Sequence, residues 1–474
     1  MTSGAILSTY QRTRVESVCE RLGLESVAYL WRMDQTCVLE QLHGLGYVAR
    51  IVKAAAMGLD ERWLWEDVAG DETRRKLAGL ERKWGVNVAG DGGEYETLVV
   101  SAPGWAGEIV VGEEERVVKK DAGAFWIEFT GGRVEGKVKT EVNIPAVGIW
   151  DTEFEEVLEE VKKLDIPAVE KPTTLEGITL PAPSVVKTSH TLQLLNFTSN
   201  APTPEAQLTA IFTALKSTLE THNLTLASLA HIHLHLSSLS LFTPLNTLYK
   251  TYFPHPLPPS RITTSTPLPP HTHILLSATA ALTRGPGLHV QSISYWAPCN
   301  IGPYSQGNCL GNGWIETAGM IPLIPASMDR VRGGVEEVVL GLQHVKRVWE
   351  ALGARGVGAV CWVAEEGLVG VVMEVWKMAG RGGVVVVWAE GLPRGVGVEW
   401  EGIGKKAGEE EGGEWGIVFA DEGEGGVEGV KGAEVVVFGA CEGVQEGVRC
   451  VPSRGVWDAE GRRWNRAVAI RTGM

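Results

Sequence analysis

No run of about 18 uncharged apolar residues occurs in this 474-residue chain, so no transmembrane helix is expected. The first residues, MTSGAILSTYQRTRVESVC, lack a basic region followed by an apolar stretch, so they do not read as a secretory signal. Cysteine is scarce. Cys19, Cys37, Cys299, Cys309, Cys361, Cys441 and Cys450 are scattered, odd in number and never spaced as CxxC. That usage fits reduced thiols of the cytoplasm better than a disulfide frame or a zinc site. Positive charge is also short. A formal net charge of −15 disfavours direct binding to nucleic acid or to an anionic membrane.

What is present is ordinary for a globular protein, with 44% hydrophobic and 21% charged residues. The chain is long enough for several cores. Its composition changes in steps. Residues 1–135 alternate helix-type and strand-type patterns. Residues 136–184 form an acidic, proline-punctuated connector holding one amphipathic helix, DTEFEEVLEEVKKLDIP. Residues 185–283 contain neither glycine nor tryptophan, yet hold eight of the eleven histidines. Residues 284–474 are rich in Gly, Val and Trp, with a Gly/Glu-rich insertion between Lys405 and Gly432.

The first zone reads as α/β. GAILS, SVAYLW, YVARIVKAAA and VNVAG are expected strands. YQRTRVESVCERL, DQTCVLEQLHGLG and DETRRKLAGLERKWG are expected helices. Ser8 to Gln11 has the form of a capping box, and Gly23 is placed as a helix stop. Alternation of this kind implies a mostly parallel sheet with ligands beyond the carboxyl ends of its strands. Two polar clusters fall at that rim: Gln11, Arg12 and Arg14, and AGDGGEYETLVVSAPGW with Gly92, Gly93, Glu94, Tyr95, Glu96 and Thr97. Cations in a helix's first turn oppose its dipole, which an anionic ligand would offset. Arg12 could equally pair with Glu16 one turn on. The glycine motif could equally be a loop with solvated glutamates.

GAILSTYQRTRVESVCERLGLESVAYLW, IVKAAAMGLDERWLWEDV and AGDGGEYETLVVSAP together resemble the diphthine–ammonia ligase family over about residues 3–105, although that family usually has Glu where this chain has Asp91. The resemblance implies a partial adenine-nucleotide hydrolase-like parallel-sheet domain and an ATP-dependent amidation. The carboxylate of diphthine on elongation factor 2 would be adenylated, and ammonium would supply the nitrogen of diphthamide. It further implies Glu94 and Glu96 as catalytic groups. Gln11, Arg12, Arg14, Gly92, Gly93, Tyr95 and Thr97 would line the nucleotide and substrate cleft, with magnesium as an accompanying ion. The family's Ser-Gly-Gly-Lys-Asp-Ser phosphate loop occurs nowhere in the chain, so an incomplete N-terminus is expected.

CNIGPYSQGNCLGNGWIETAGMIPLIP, VEEVVLGLQHVKRVWEALGA and GLPRGVGVEWEGIG resemble a Rid-type (imine deaminase) domain. PEAQLTAIFTALKSTLETHN, LAHIHLHLSS and YFPHPLPPSRITTSTPLPPHTHILLSATA resemble a second, weaker copy. The expected architecture is therefore the partial α/β domain followed by two α+β Rid-like domains. The first copy has the family's arginine as Arg261 but Ser277 in place of its glutamate. The second has the glutamate as Glu401, with Tyr304 and Ser305 in its signature, but Val384 to Val387 where the arginine belongs. The resemblance suggests self-association through these domains. Alternative readings are a noncatalytic assembly protein and an imine deaminase. His231, His233 and His235 share one strand face. Neighbouring positions on a single strand seldom converge on a metal, so no metal site is expected and the face reads as exposed or interfacial.

Overall fold

The computed structural model describes all residues except 140–146, 168, 170, 171, 173, 174, 176, 312, 407, 409–414, 421–432, 440–447, 461, 465, 473 and 474. It divides into two compact units. One comprises Met1–Gly148 with Ser292–Trp296, and the other Ile149–Gln291 with Ala297–Met474. Both expected Rid-like domains thus lie in one unit. Most of the Gly/Glu-rich insertion falls outside the described residues. No described helix is long and apolar enough to cross a membrane.

In the first unit the capped helices form where their local signals place them. Helix α1 (Thr9–Leu22) starts at Ser8, whose side chain accepts from the Gln11 N–H, and stops at Gly23 in the left-handed region. Helices α2 (Gln35–Gly44) and α3 (Asp71–Trp84) follow. The sheet differs from expectation. Its order is Tyr95–Ser101, Val48–Ala54, Ala124–Phe129 and Arg116–Asp121, and every pairing is antiparallel. GAILS and VNVAG are not strands, and SVAYLW contributes only isolated parallel bridges at Val27 to Thr2 and Ile293. For GAILS the reason is distant in sequence: Ile6, Leu7 and Ser8 give their N–H groups to the Asp91 carboxylate rather than to a ladder.

The second unit begins with α4 (Thr152–Val161), the connector helix, which buries Phe154, Val157, Leu158 and Val161. A five-stranded sheet follows in the order Ser260–Ser265, Leu229–Leu236, Ile274–Ala281, Thr191–Phe197 and Ser184–Lys187. Helices α5 (Pro204–Thr221) and α6 (Phe242–Lys250) pack on it around Phe212, Leu215 and Tyr249. An eight-stranded sheet centres on Val398–Lys406 and Ala354–Val363, with α7 (Gly334–Ala351) and α8 (Leu368–Ala379). A third sheet contains Ala433–Gly439, Arg449–Pro452 and Arg466–Thr472. The edge strand Ser260–Ser265 reaches the second half through a bridge from Ser260 to Ser305 and the Gly319 N–H bond to the Arg261 carbonyl. Of the described cysteines, Cys19, Cys37, Cys299, Cys309 and Cys361 lie outside any disulfide, but Cys450 is disulfide-bonded, which corrects the all-thiol expectation at that position.

The glycine and tryptophan enrichment has a packing cause. Trp349 of α7 lies on the strand glycines: a methyl group at Gly356 would stand 2.3 Å from its ring, and one at Gly404 2.8 Å. At Gly402 it would stand 2.3 Å from Val345 and 2.8 Å from Trp349. Overpacking of this kind costs about 1–3 kcal/mol. Gly402→Ala should therefore lower the unfolding free energy by that amount, whereas Gly367→Ala, with nothing within 4 Å of its added methyl, should be near neutral. Equilibrium unfolding in urea of both variants checks the contrast.

Candidate functional site

The glycine motif of the first unit is a braced loop. Glu94 accepts from the Asn87 backbone N–H at 3.0 Å, the Asn87 amide at 2.6 Å and the Gly92 N–H at 2.8 Å. Asn87 and Ala89 are in turn tied to Gln35 at the start of α2. Asp91 accepts from Ile6, Leu7 and Ser8 at 2.8–3.1 Å, so a carboxylate already meets the chain entering α1. Tyr95 is buried and donates its hydroxyl to the Val88 carbonyl at 2.5 Å; burial pushes its phenol well above the ordinary range. Gly90 and Gly93 hold positive φ at the turns. Gly92 leaves room for Glu94, whose oxygen would be 2.6 Å from an added methyl.

The predicted site residues therefore separate. Arg12 is buried. Its Nη1 donates to both Glu16 oxygens at 2.7 Å, and its guanidinium lies 4.3 Å from the centre of the Trp31 ring. Glu16 also accepts from the N–H and hydroxyl of Ser292. The internal ion pair thus takes up the Arg12 charge. Gln11 and Arg14 stay on the exposed side of α1, with Arg14 stacked 4.2 Å from the centre of the Tyr10 ring. Glu96 and Thr97 are exposed on their strand. Glu96 lines an open, shallow groove with Val52, Lys53, Asp121, Trp126 and Ile127, and it pairs with Lys53 at 3.7 Å.

The second unit places Arg261, Glu399 and Tyr304 around a small cavity, with Phe242, Thr263 and Gly319. The Arg261 guanidinium sits 4.5 Å from the ring centre of Tyr249, 5.5 Å from that of Tyr304 and 5.8 Å from that of Phe242. Neither Arg261 Nη1 nor Glu399 Oε2 has a hydrogen-bond partner, although both are buried. Burial, reinforced by Glu401, pushes the Glu399 carboxyl up to about 8, and burial raises Tyr304 to about 12. Gly319 makes this geometry possible, because any side chain there would collide with the Glu399 carboxylate. Ser305 is structural here, donating to the Pro258 carbonyl at 2.6 Å.

Glu401, the glutamate singled out from sequence, does not line this cavity. It accepts from His233 Nε2 at 2.7 Å and lies 3.4 Å from His231 Nε2. The three same-face histidines are buried between the halves of the unit and not exposed. Glu399 was legible as the same-face partner of Glu401 two residues earlier on a strand.

With the geometry in place, comparison with known proteins is decisive for family. A family model described as "Diphthamide synthase C-terminal domain" matches residues 34–131. A "Diphthine--ammonia ligase" of Schizosaccharomyces pombe is 33% identical over 423 residues, covering 85% of this chain and 69% of the relative. The chain belongs to the diphthine–ammonia ligase family. The Saccharomyces cerevisiae member is 30% identical over 421 residues, and this chain spans 60% of that relative's length. Among solved structures, the YjgF gene product of Escherichia coli is similar at 25% identity, covering 26% of this chain and 98% of its own, with a TM-score of 0.23.

Within this ligase-family chain, Asp91 is a positioning group. Losing an acceptor that serves three N–H donors should cost about 1–3 kcal/mol. Asp91→Ala is expected to speed amide exchange at Ile6, Leu7 and Ser8, while Asp91→Glu preserves protection. Hydrogen exchange read by NMR distinguishes the two.

Proposed function

We propose that this chain is part of an ATP-dependent ligase that converts diphthine on elongation factor 2 to diphthamide in the cytoplasm. The observation carrying this reading is the 423-residue relation to the Schizosaccharomyces pombe ligase, which runs far beyond one motif. In the proposed reaction the diphthine carboxylate attacks ATP and releases pyrophosphate. Ammonia then displaces AMP to leave the amide. Glu96 is the motif carboxylate open to a ligand, because Glu94 and Asp91 are each occupied by three N–H contacts. Arg14 and Gln11 are the polar groups α1 leaves exposed, suited to phosphate or carboxylate. Magnesium would come to the groove on the nucleotide's phosphates and share Glu96, since such ions keep few protein ligands.

The test is amide formation on diphthine-bearing elongation factor 2 by the native protein. Loss of one preorganised polar group typically costs about 10²–10³ in rate. Glu96→Ala should lower turnover on that scale with an unchanged melting temperature, whereas Glu94→Ala should lower the melting temperature first. Full turnover in Glu96→Ala would remove Glu96 from the reaction.

The Arg261–Glu399–Tyr304 cavity favours a second reading, hydrolysis of a small imine that bears a carboxylate. Arg261 would bind that carboxylate, and the protonated Glu399 would address the water or imine nitrogen. The two sequence copies are each incomplete, but this cavity combines an arginine from one with a glutamate and tyrosine from the other. Arg261→Ala should abolish accelerated hydrolysis of a freshly generated imino acid, and Glu401→Gln should leave it within a few-fold. The reverse pattern would overturn the assignment.

A further inference from the structure

The second unit buries a second polar cluster next to that cavity but separate from it. His231 Nε2, His233 Nε2 and Glu401 Oε1 converge on a single point. His231 Nε2 stands 3.4 Å from each of the other two, and His233 Nε2 stands 2.7 Å from Glu401 Oε1. All three side chains are essentially inaccessible to solvent. Ligands about 2.0–2.2 Å from a tetrahedral ion lie about 3.3–3.6 Å apart, so two of the three edges already have the required length. The third, at 2.7 Å, needs to open by about 0.6–0.9 Å to reach that length.

The surrounding bonds favour a cation for His231. Its Nδ1 is 2.7 Å from Ser260 Oγ, whose own proton is directed at the Ala230 and Glu316 carbonyls. In the tautomer where Ser260 accepts from Nδ1–H, the Nε2 lone pair faces the Glu401 carboxylate. A lone pair facing an anion in a dry interior is unfavourable without a shared cation. Ser260 also fixes ring and tautomer, as groups behind metal-binding histidines do. Glu401 Oε2 is buried with no hydrogen-bond partner.

The obstacle is Arg449. Its Nη1 lies against the His233 ring, 3.0 Å from Nε2 and in contact with Nδ1, while the 2.7 Å contact with the Glu401 carboxylate places the ring proton on Nε2. Metal ligation by that ring needs the opposite tautomer. Arg449 and Glu401 both line a small cavity with Glu316 and Arg471. Glu316 Oε1 accepts from Arg471 at 2.7 Å, while Glu316 Oε2 has no hydrogen-bond partner. The cavity therefore offers the guanidinium an alternative carboxylate.

We propose that His231, His233 and Glu401 form a divalent-metal site of zinc type, which the Arg449 guanidinium and the metal occupy in competition. On binding, the His233 proton moves from Nε2 to Nδ1, Arg449 turns to Glu316, and the ion joins the Leu229–Leu236 and Val398–Lys406 strands. No ligand leaves the protein and no redox partner is needed. A fourth coordination position faces the cavity and takes water.

The full chain, stripped with a chelator and dialysed against micromolar zinc, should retain one zinc per chain by elemental mass spectrometry. Cobalt in its place should give the visible absorption of a tetrahedral site. His231→Gln and Glu401→Gln, verified as folded by circular dichroism, should lose that equivalent. Arg449→Met, which removes the competitor, should bind about tenfold tighter, the scale of a neighbouring-group effect, and its melting temperature should rise with zinc. Zinc binding by neither the wild-type chain nor Arg449→Met overturns the proposal, as does a full equivalent retained in His231→Gln. The Arg449→Met arm decides the matter even where the ligand variants fail to fold.

Discussion

Neutralisation of buried charge governs how the halves of the second unit meet. Glu316, Glu399 and Glu401 are all interior, and so are Arg261, Arg449 and Arg471. Removing an ion from water costs several kcal/mol unless a partner is held in place. Glu316 is met by Arg471, and Arg261 by aromatic rings with Glu399 across the cavity. Burial opposes ionisation of Glu401, but His233 and His231 outweigh it and hold its carboxyl well below the usual range. Desolvation and Arg449 together press His233 down to about 3, so that ring is neutral. The two sides of each pairing come from different strands, and a register slip in any of them would strand a charge. The network thus specifies the pairing more than it strengthens it.

That constraint explains why the same strand carries two chemistries. Glu399 and Glu401 are two residues apart on Val398–Lys406, yet the first is held protonated up to about 8 and the second is held ionised. The difference lies in the neighbours. Glu399 meets Glu401 and a cavity; Glu401 meets two imidazoles. Environments that push two carboxyls apart divide the labour of proton donor and anion. Sequence alone pointed to Glu401 and did not single out Glu399.

Local signals were legible because their physics is local. The Ser8 cap, the Gly23 stop and the apolar spacing of α3, α4, α5 and α7 each involve residues within a few positions, and those helices form where the pattern puts them. The sheet of the first unit was misread for the complementary reason. GAILS has the composition of a strand, but a strand needs a neighbour, and Asp91 supplies the acceptor from 83–85 residues away. Likewise the Arg12–Glu16 pair is a one-turn contact open to prediction, whereas the Ser292 contacts that complete it are 276 residues distant. His233 and Glu401 are 168 residues apart, so a histidine-bearing strand gave no hint of a carboxylate opposite it.

The motif AGDGGEYE shows how counting donors separates scaffold from chemistry where residue type cannot. Three acidic side chains lie within six residues, and all three invite a functional reading. Two of them are taken by backbone and amide N–H groups of their own loop and of the entry to α1. A carboxylate so occupied gives up that bonding before it can serve a ligand, and losing it would loosen the loop that presents the third. Glu96, two residues past Glu94 on the strand, has Lys53 at 3.7 Å and an open groove. The loop is rigid because Asp91 and Glu94 are spent on it, and that rigidity is what fixes where Glu96 points.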